Sequence, residues 1–325
     1  MSTVINGITT LAQEIPDLNA PEKIPLFDLS AWSAGQLAAI EQALSRWVAN
    51  PADAPAPAPA GLGDAMRYAV LDGGKRLRPL LVMAACDAVN GHAQAALRPA
   101  CAVELIHAYS LVHDDMPCMD NDVLRRGKAT VHVRFGQALA LLAGDALQAL
   151  AFELLTPDDD SLNAQTQARL CRLLARAAGF LGMAGGQAID LASVGLPLTA
   201  GQLQEMHRLK TGALLQTSVI MGASCGTASP AALNALRDYG AAVGLAFQVV
   251  DDILDVTADA VTLGKTAGKD AAQDKPTFVS LMGLQASRAY AQQLLAQALA
   301  SLQASGLENT HALQALAGML VNRQR

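Results

Sequence analysis

Two groups of aspartates have the residue types and spacing to do chemistry. The first lies in Glu104–Arg126, ELIHAYSLVHDDMPCMDNDVLRR, and comprises Asp114, Asp115, Asp120 and Asp122. The second lies in Gly244–Val256, GLAFQVVDDILDV, with Asp251, Asp252 and Asp255. Crowded carboxylates repel and raise one another's pKa values unless a cation lies between them. A donor set made only of oxygen suits Mg²⁺, which keeps several waters and shares its coordination sphere with substrate phosphate. The alternatives are a solvated acidic turn partnered by Arg125 and Arg126, and for the second group an ordinary surface cluster.

The elements that must position these groups are helical. His107, Leu111 and Asp114 recur at four and three residues, one face of a helix ending at the first cluster. Pro117 stops that helix, so Asp120 and Asp122 fall in the following turn. In the second cluster Gln248, Asp251 and Asp255 share a face that Asp252 borders, while Phe247, Val250, Ile253 and Leu254 make the other faces apolar. Several carboxylates buried on so apolar a helix without cations would be very costly, so a paired or metal-bound state is expected.

Candidate cations lie elsewhere. In LDGGKRLRP, Gly73-Gly74 breaks one helix and sets Lys75, Arg76 and Arg78 at the start of the next. Backbone N–H groups and charge at such a turn can hold a diphosphate. The spacing of a Walker P-loop is absent. Arg125-Arg126, Lys210-Thr211, Lys265, Lys269 and Lys275 also lie near glycine turns or helix ends. Gln187 and Asp190 share a helix face, as a polar wall or as a satisfied core pair. No Ser-His-Asp or Cys-His arrangement is evident.

The rest of the chain reads as helix after helix. Ala and Leu dominate its 325 residues and aromatics make up 4%, a composition that favours helices. An amphipathic helix is expected over 31–50, then PADAPAPAPA as an extended linker. Periodic segments follow at about 61–72, 76–90, 95–115, 131–155, 163–180, 199–223, 230–257, 275–304 and 308–323. No run alternates apolar with polar, so the expected fold is all-α, with 1–30 a loose leader and 31–325 a single domain. The polar stretch 258–276, rich in Gly and Lys, reads as a long functional loop.

The net charge of −6 argues against general nucleic-acid binding. Five scattered cysteines without CxxC spacing point to reduced thiols and a cytoplasmic location. The N-terminal residues do not read as a signal peptide. Thr211–Leu236 carries no formal charge, but Gly222, Gly226 and Pro230 interrupt it, so a buried helix and turn is expected, not a membrane span.

Taken together, GGKRLRP, HAYSLVHDDMPCMDNDVLRRG, GDALQALAFELL, GGQAIDL, HRLKTGALL and GLAFQVVDDILDV resemble the trans-prenyltransferase (polyprenyl synthase) family, nearest its bacterial farnesyl diphosphate synthases. The resemblance runs from about Gln42 to the C-terminus. It implies the isoprenoid synthase fold, a bundle of ten or more helices in which two aspartate clusters face each other across a cavity, usually as a homodimer. It assigns Asp114, Asp120 and Asp251 to Mg²⁺, three ions per active site when diphosphate is bound, with Asp115 and Asp255 as auxiliary ligands or water holders. Arg125, Lys210, Thr211, Gln248, Lys265 and Lys275 would hold the allylic diphosphate. Gly74, Lys75, Arg78, His107 and Arg126 would hold isopentenyl diphosphate. Asn121 and Val123 interrupt the longer acidic run common in the family, which removes Asp122 from the ligand set.

The implied reaction adds isopentenyl diphosphate to dimethylallyl and then geranyl diphosphate. Lys210, Thr211 and Gln248 are its catalytic dipoles. Product length in the family depends on bulk just before the first cluster. Tyr109 is large there and Ser110 beside it is small, which implies a C15 product, farnesyl diphosphate. Geranylgeranyl (C20) or geranyl (C10) diphosphate synthesis and a terpene cyclase are the alternatives. Two separate cationic groups, Lys75/Arg78 and Lys210/Lys265, favour two diphosphates over the cyclase's one.

Overall fold

A computed structural model describes residues 27–49, 58–71, 73–196, 198–257 and 276–323. The expectations for residues 1–26, for most of the Pro-Ala linker and for 258–275, including Lys265, Lys269 and Lys275, lie outside the described residues. What is described is almost wholly helical, as the sequence predicts. Helix α1 spans Leu29–Trp47, and the Asp28 side chain caps it by accepting from the Ala31 N–H at 3.0 Å. A short 3₁₀ turn, Pro59–Gly61, leads into α2, Leu62–Val70. Then come α3, Leu77–Ala88, and α4, Ala93–Asp114, which carries Pro99 within it.

The expected helix over 131–155 divides at Gly136 into α5, Val131–Phe135, and α6, Gln137–Leu155. Gly136 sits at φ +88°, a value that helix cannot contain. Helix α7 is Ala164–Ala178, and α8, Met183–Ala192, lies outside the expected periodic segments but carries Gln187 and Asp190 on one helix as expected. Helix α9, Ala200–His207, passes through a π-helical turn at Arg208–Gly212 into α10, Ala213–Ala223. Helix α11 is Pro230–Thr257, with proline at its first position. After 258–275, Gly283 at φ +82° divides α12, Phe278–Met282, from α13, Leu284–Ala304, and α14 is His311–Val321.

A two-residue antiparallel ladder pairs β1, Leu124–Arg125, with β2, Lys128–Ala129. Its loop residues Arg126 and Gly127 have φ of +53° and +74°, the positive values a two-residue type I′ hairpin needs. The ladder is too short to have left an alternating pattern in the sequence.

Helices α3, α4, α10 and α11 form the centre, with α6 against α4 and α13 along α11. The charge-free stretch is largely α10, whose Leu214, Leu215, Val219, Ile220 and Met221 are buried as expected. Among the described residues one helix, α6, is long and apolar enough to cross a membrane by length and composition. It packs on α2, α4, α5 and α7 while Leu141 and Leu142 stay exposed.

One buried ion cluster fixes the α2–α3 junction. Arg76 donates from Nη1 to Glu104 at 2.7 Å, from Nε to Glu41 at 2.6 Å and from Nη2 to the Val70 carbonyl at 2.6 Å. Both Arg76 and Glu104 are 3% exposed. Arg76→Met, which strands Glu104, should destabilise the protein by about 3–5 kcal/mol, read as a lower urea midpoint with an unchanged m-value.

Candidate active site

Helix α4 delivers the first cluster as the sequence predicts. It ends at Asp114, and the loop beyond Pro117 folds back so that the Asp120 N–H donates to the Asp114 carbonyl at 2.8 Å. Asp114 and Asp120 thereby stand side by side. Burial, with the charges of Asp120 and Asp115, pushes the Asp114 carboxyl up to about 6 against the pull of Lys210 and Arg125. The shift also shows that Lys210 lies within electrostatic reach of this cluster.

Asp115 has another task. It is buried, and Arg125 donates from Nε to both of its oxygens at 2.9 Å. The hairpin holds Arg125 there, so two residues expected to bind metal and allylic diphosphate are engaged with each other. Burial pushes the Asp115 carboxyl up despite this partner. Asp122 lies 3.8 Å from the same guanidinium and gives its carbonyl to Thr130 Oγ1, a structural place.

On α11 the aspartates diverge. Asp251 pairs with Arg323, whose guanidinium stacks 4.4 Å above the Phe247 ring. Asp252 is 2% exposed and accepts from Gln248 Nε2 and from the Phe278 backbone N–H, both at 2.8 Å. Asp252 thus ties α11 to the start of α12 and has no free face for a ligand. Gln248 Oε1 accepts from Thr211 Oγ1 at 3.2 Å, giving a continuous chain Thr211–Gln248–Asp252–Phe278. Asp255 is buried.

Lys210 and Thr211 occupy the π turn Arg208–Gly212. Such turns interrupt the i→i−4 ladder and release carbonyls, and they are frequent at functional sites. The turn survives because glycines flank it. A Cβ on Gly186 of α8 would lie 2.1 Å from the Lys210 backbone nitrogen, and one on Gly244 of α11 would lie 2.8 Å from Gly212 Cα. Lys210 Nζ reaches the buried Asp190 at 2.6 Å, so Asp190 belongs to the polar wall. Gln187 is buried with neither amide atom hydrogen-bonded. His207 is equally buried and unpartnered, and burial beside Lys210 pushes it down to about 4.

The second cationic group gathers around one cavity. Gly74, Lys75, Arg78, His107 and Arg126 line one cavity of about 1220 Å³, together with Phe247 and Arg323. Gly74 sits at φ +134°, a conformation that residues with a Cβ rarely adopt, and a Cβ there would also crowd the Arg126 guanidinium at 2.8 Å. Arg126 donates to the Gly73 carbonyl at 2.6 Å. The buried Arg78 Nε has no acceptor, which marks an anion-ready donor. Burial, then Arg78 and Arg126, hold the His107 imidazole well below its usual range, so it is neutral. Arg78 senses the charge of Asp251, which joins this cavity to the second cluster.

No three His, Cys, Asp or Glu side chains among the described residues enclose a metal on their own. The donors nonetheless fit Mg²⁺: they are oxygens only, Asp114 is an acid in search of a counter-charge, and Mg²⁺ completes its sphere with water and substrate phosphate. Asp114 and Asp120 stand together at the end of α4, while Asp251 lies within electrostatic reach of Arg78 and pairs with Arg323.

The polyprenyl synthetase family model matches residues 59–316. The chain belongs to the polyprenyl synthetase family. A probable farnesyl diphosphate synthase of Sinorhizobium fredii is 54% identical over 240 residues, 72% of this chain and 71% of that protein. The large subunit 1 of the heterodimeric chloroplastic geranylgeranyl pyrophosphate synthase of Arabidopsis thaliana is 46% identical over 271 residues, 82% of this chain and 73% of that one. In structure, the geranyltransferase of Helicobacter pylori complexed with magnesium and isoprenyl diphosphate superposes with a TM-score of 0.78 at 34% identity, covering 91% of this chain and 97% of that one. This polyprenyl synthetase is accordingly a trans-prenyl diphosphate synthase with the all-α isoprenoid synthase fold.

Sequence reasoning missed Arg323, which no spacing signalled, and the packing duty of Gly186 and Gly244, for which GGQ and VGL were available but mute signals. Gly186→Ala should displace Lys210 and lower turnover at least tenfold, while urea unfolding reports a loss of about 1–3 kcal/mol. A raised Asp114 pKa stabilises the metal-free protein below the unfolded value of 3.8, and that contribution is lost as pH rises through about 6. Magnesium needs the carboxylate, so the Mg²⁺-induced rise in Tm should shrink as pH falls from 7 to 5, and Asp114→Asn should flatten that dependence.

Proposed function

We propose that this synthase condenses isopentenyl diphosphate with dimethylallyl and then geranyl diphosphate to give (2E,6E)-farnesyl diphosphate and diphosphate. The observation that carries the reading is the junction of two cationic sites. Lys210 lies beside Asp114, and Lys75, Arg78, His107 and Arg126 line a cavity that Asp251 adjoins. Two diphosphates need two such sites, whereas a terpene cyclase needs one. Residues 31–325 form one domain around this centre.

Magnesium, taken as three ions held by Asp114, Asp120 and Asp251 with Asp255 alongside, supplies Lewis-acid neutralisation of the leaving diphosphate. The chain's own residues do the rest. Lys210 is drawn toward the first cluster and restrained by Asp190, so its charge is set where the leaving group departs. Arg125 stabilises the same region while holding Asp115. As the allylic C1–O bond breaks, carbonyls of the π turn and the Gln248 amide oxygen face developing positive charge as preorganised dipoles. The double bond of isopentenyl diphosphate, anchored by Lys75, Arg78 and Arg126, forms the new C–C bond. The proton then lost passes to the departing diphosphate. Lys265 and Lys275 complete the allylic site in this reading.

Product length is assigned to Tyr109, which is half-buried, has its ring 5.7 Å from His113, and is pushed up in pKa by burial and by Asp114. Ser110 beside it donates to the His107 carbonyl at 2.9 Å. A C20 product is the second reading, favoured by a relative named as a geranylgeranyl pyrophosphate synthase subunit. The exposed Leu141 and Leu142 of α6, with Phe180 and Leu181 after α7, support a homodimer. Five free thiols support a cytoplasmic location.

Incubation of the protein with radiolabelled isopentenyl diphosphate and each allylic primer should give labelled C15 product only when Mg²⁺ is present. Absence of any condensation product would refute the synthase reading. Tyr109→Ala should shift the product to C20 or longer by chromatography; an unchanged C15 product would remove Tyr109 from that role.

A further inference from the structure

Away from the substrate cavity, a second cavity of about 470 Å³ opens between α7, α10 and α11. Five arginines line it: Arg169, Arg172 and Arg176 from α7, Arg208 from the π turn and Arg237 from α11. The α7 arginines recur at three and four residues, so they share one face of that helix. Like charges so spaced on a helix repel, and the chain as a whole is acidic with only 23 Lys and Arg. Placing five of the 23 around one cavity is therefore a cost that a bound anion would relieve.

The neutralising groups present are few. Glu205 takes two hydrogen bonds at 2.6 Å from Arg208, and Asn234 accepts from Arg237 at 2.9 Å. Among the described residues Arg169, Arg172 and Arg176 form no ion pair. Asp238 lines the neighbouring cavity, which shares Arg208 and Gln216 with this one. Leu173, on the same helix as three of the arginines, and Ile220 of α10 add aliphatic lining to the cavity.

We propose that this cavity is a binding site for a diphosphate group, separate from both substrate sites. Planar guanidiniums bind phosphate oxygens in pairs, and several on three elements suit two linked phosphates better than one. The aliphatic lining adds room for a hydrocarbon tail. Resting on the proposed function, two sources supply this chemistry: inorganic diphosphate, the by-product, and the prenyl diphosphate product. Arg208 begins the turn that carries Lys210 and Thr211, and Gln216 and Thr217 line the cavity one turn beyond it. A ligand that draws Arg208 from Glu205 acts on the backbone that positions Lys210.

Calorimetric titration in EDTA tests the site on the whole protein, using inorganic diphosphate, farnesyl diphosphate and farnesol in separate arms. The wild type should bind one more equivalent of a diphosphate than the Arg172→Gln/Arg176→Gln variant, or bind it at least tenfold more tightly. These side chains are solvent-facing, so the variant should keep its helical circular dichroism and its basal turnover. Binding of inorganic diphosphate identifies the by-product as a ligand; binding of farnesyl diphosphate alone identifies the product. Superimposable isotherms for wild type and variant, or farnesol binding as well as farnesyl diphosphate, would overturn the proposal. Failure of the condensation assay with this difference intact would instead remove the synthase reading and leave the diphosphate site standing.

Discussion

Carboxylates drawn into an apolar helical bundle must be answered by cations or hydrogen-bond donors, and that requirement organises this molecule. Glu104 is held by Arg76, Asp115 by Arg125, Asp190 by Lys210 and Asp251 by Arg323. Each pair joins two different elements, from 10 residues apart for Asp115–Arg125 to 72 for Asp251–Arg323. Arg76 locks the α2–α3 junction and so sets the glycine turn that offers Lys75 and Arg78. Arg125 locks the hairpin to the end of α4. Lys210 ties the π turn to α8. The cation lining of the cavities is thus built from the same interactions that make the aspartates tolerable. Asp114 has the crowding without an equivalent close partner, and it is where the carboxyl is pushed up to about 6.

The second constraint is close packing around the π turn. Helix α10 is mostly apolar and packs between α3 and α11, while α9 carries a polar face. The extra residue between them is absorbed at Arg208–Gly212, where Gly186 and Gly244 leave room for backbone. The hydrogen-bond chain from Thr211 through Gln248 and Asp252 to the Phe278 N–H then couples this turn to the start of α12.

Much of this was legible in the sequence for identifiable reasons. Long apolar periods marked the helices that carry the core, Pro117 marked the end of α4, and the Gly73-Gly74 turn marked a cationic helix start. The breaks at Gly136 and Gly283 were not visible, because a glycine between two helical periods reads the same whether the axis continues or bends. Helix α8 is short and glycine-rich, so it fell outside the long periodic segments and was marked only by the shared face of Gln187 and Asp190. The divergent roles of the aspartates were also hidden: spacing places Asp115 and Asp252 beside Asp114 and Asp251, but only tertiary structure supplies Arg125 and the Phe278 N–H to claim them. Arg323 comes from a helix end with no local signature, 72 residues from its partner.

In the proposed mechanism the two aspartate clusters act on one diphosphate through shared cations. A double-mutant cycle on the binding of a non-ionisable geranyl thiolodiphosphate in Mg²⁺, using Asp114→Asn and Asp251→Asn, tests it most directly. Shared cations predict a coupling of at least about 1 kcal/mol between the two substitutions, vanishing when Mg²⁺ is removed. Additive losses within about 0.5 kcal/mol, or a coupling that persists in EDTA, would contradict it.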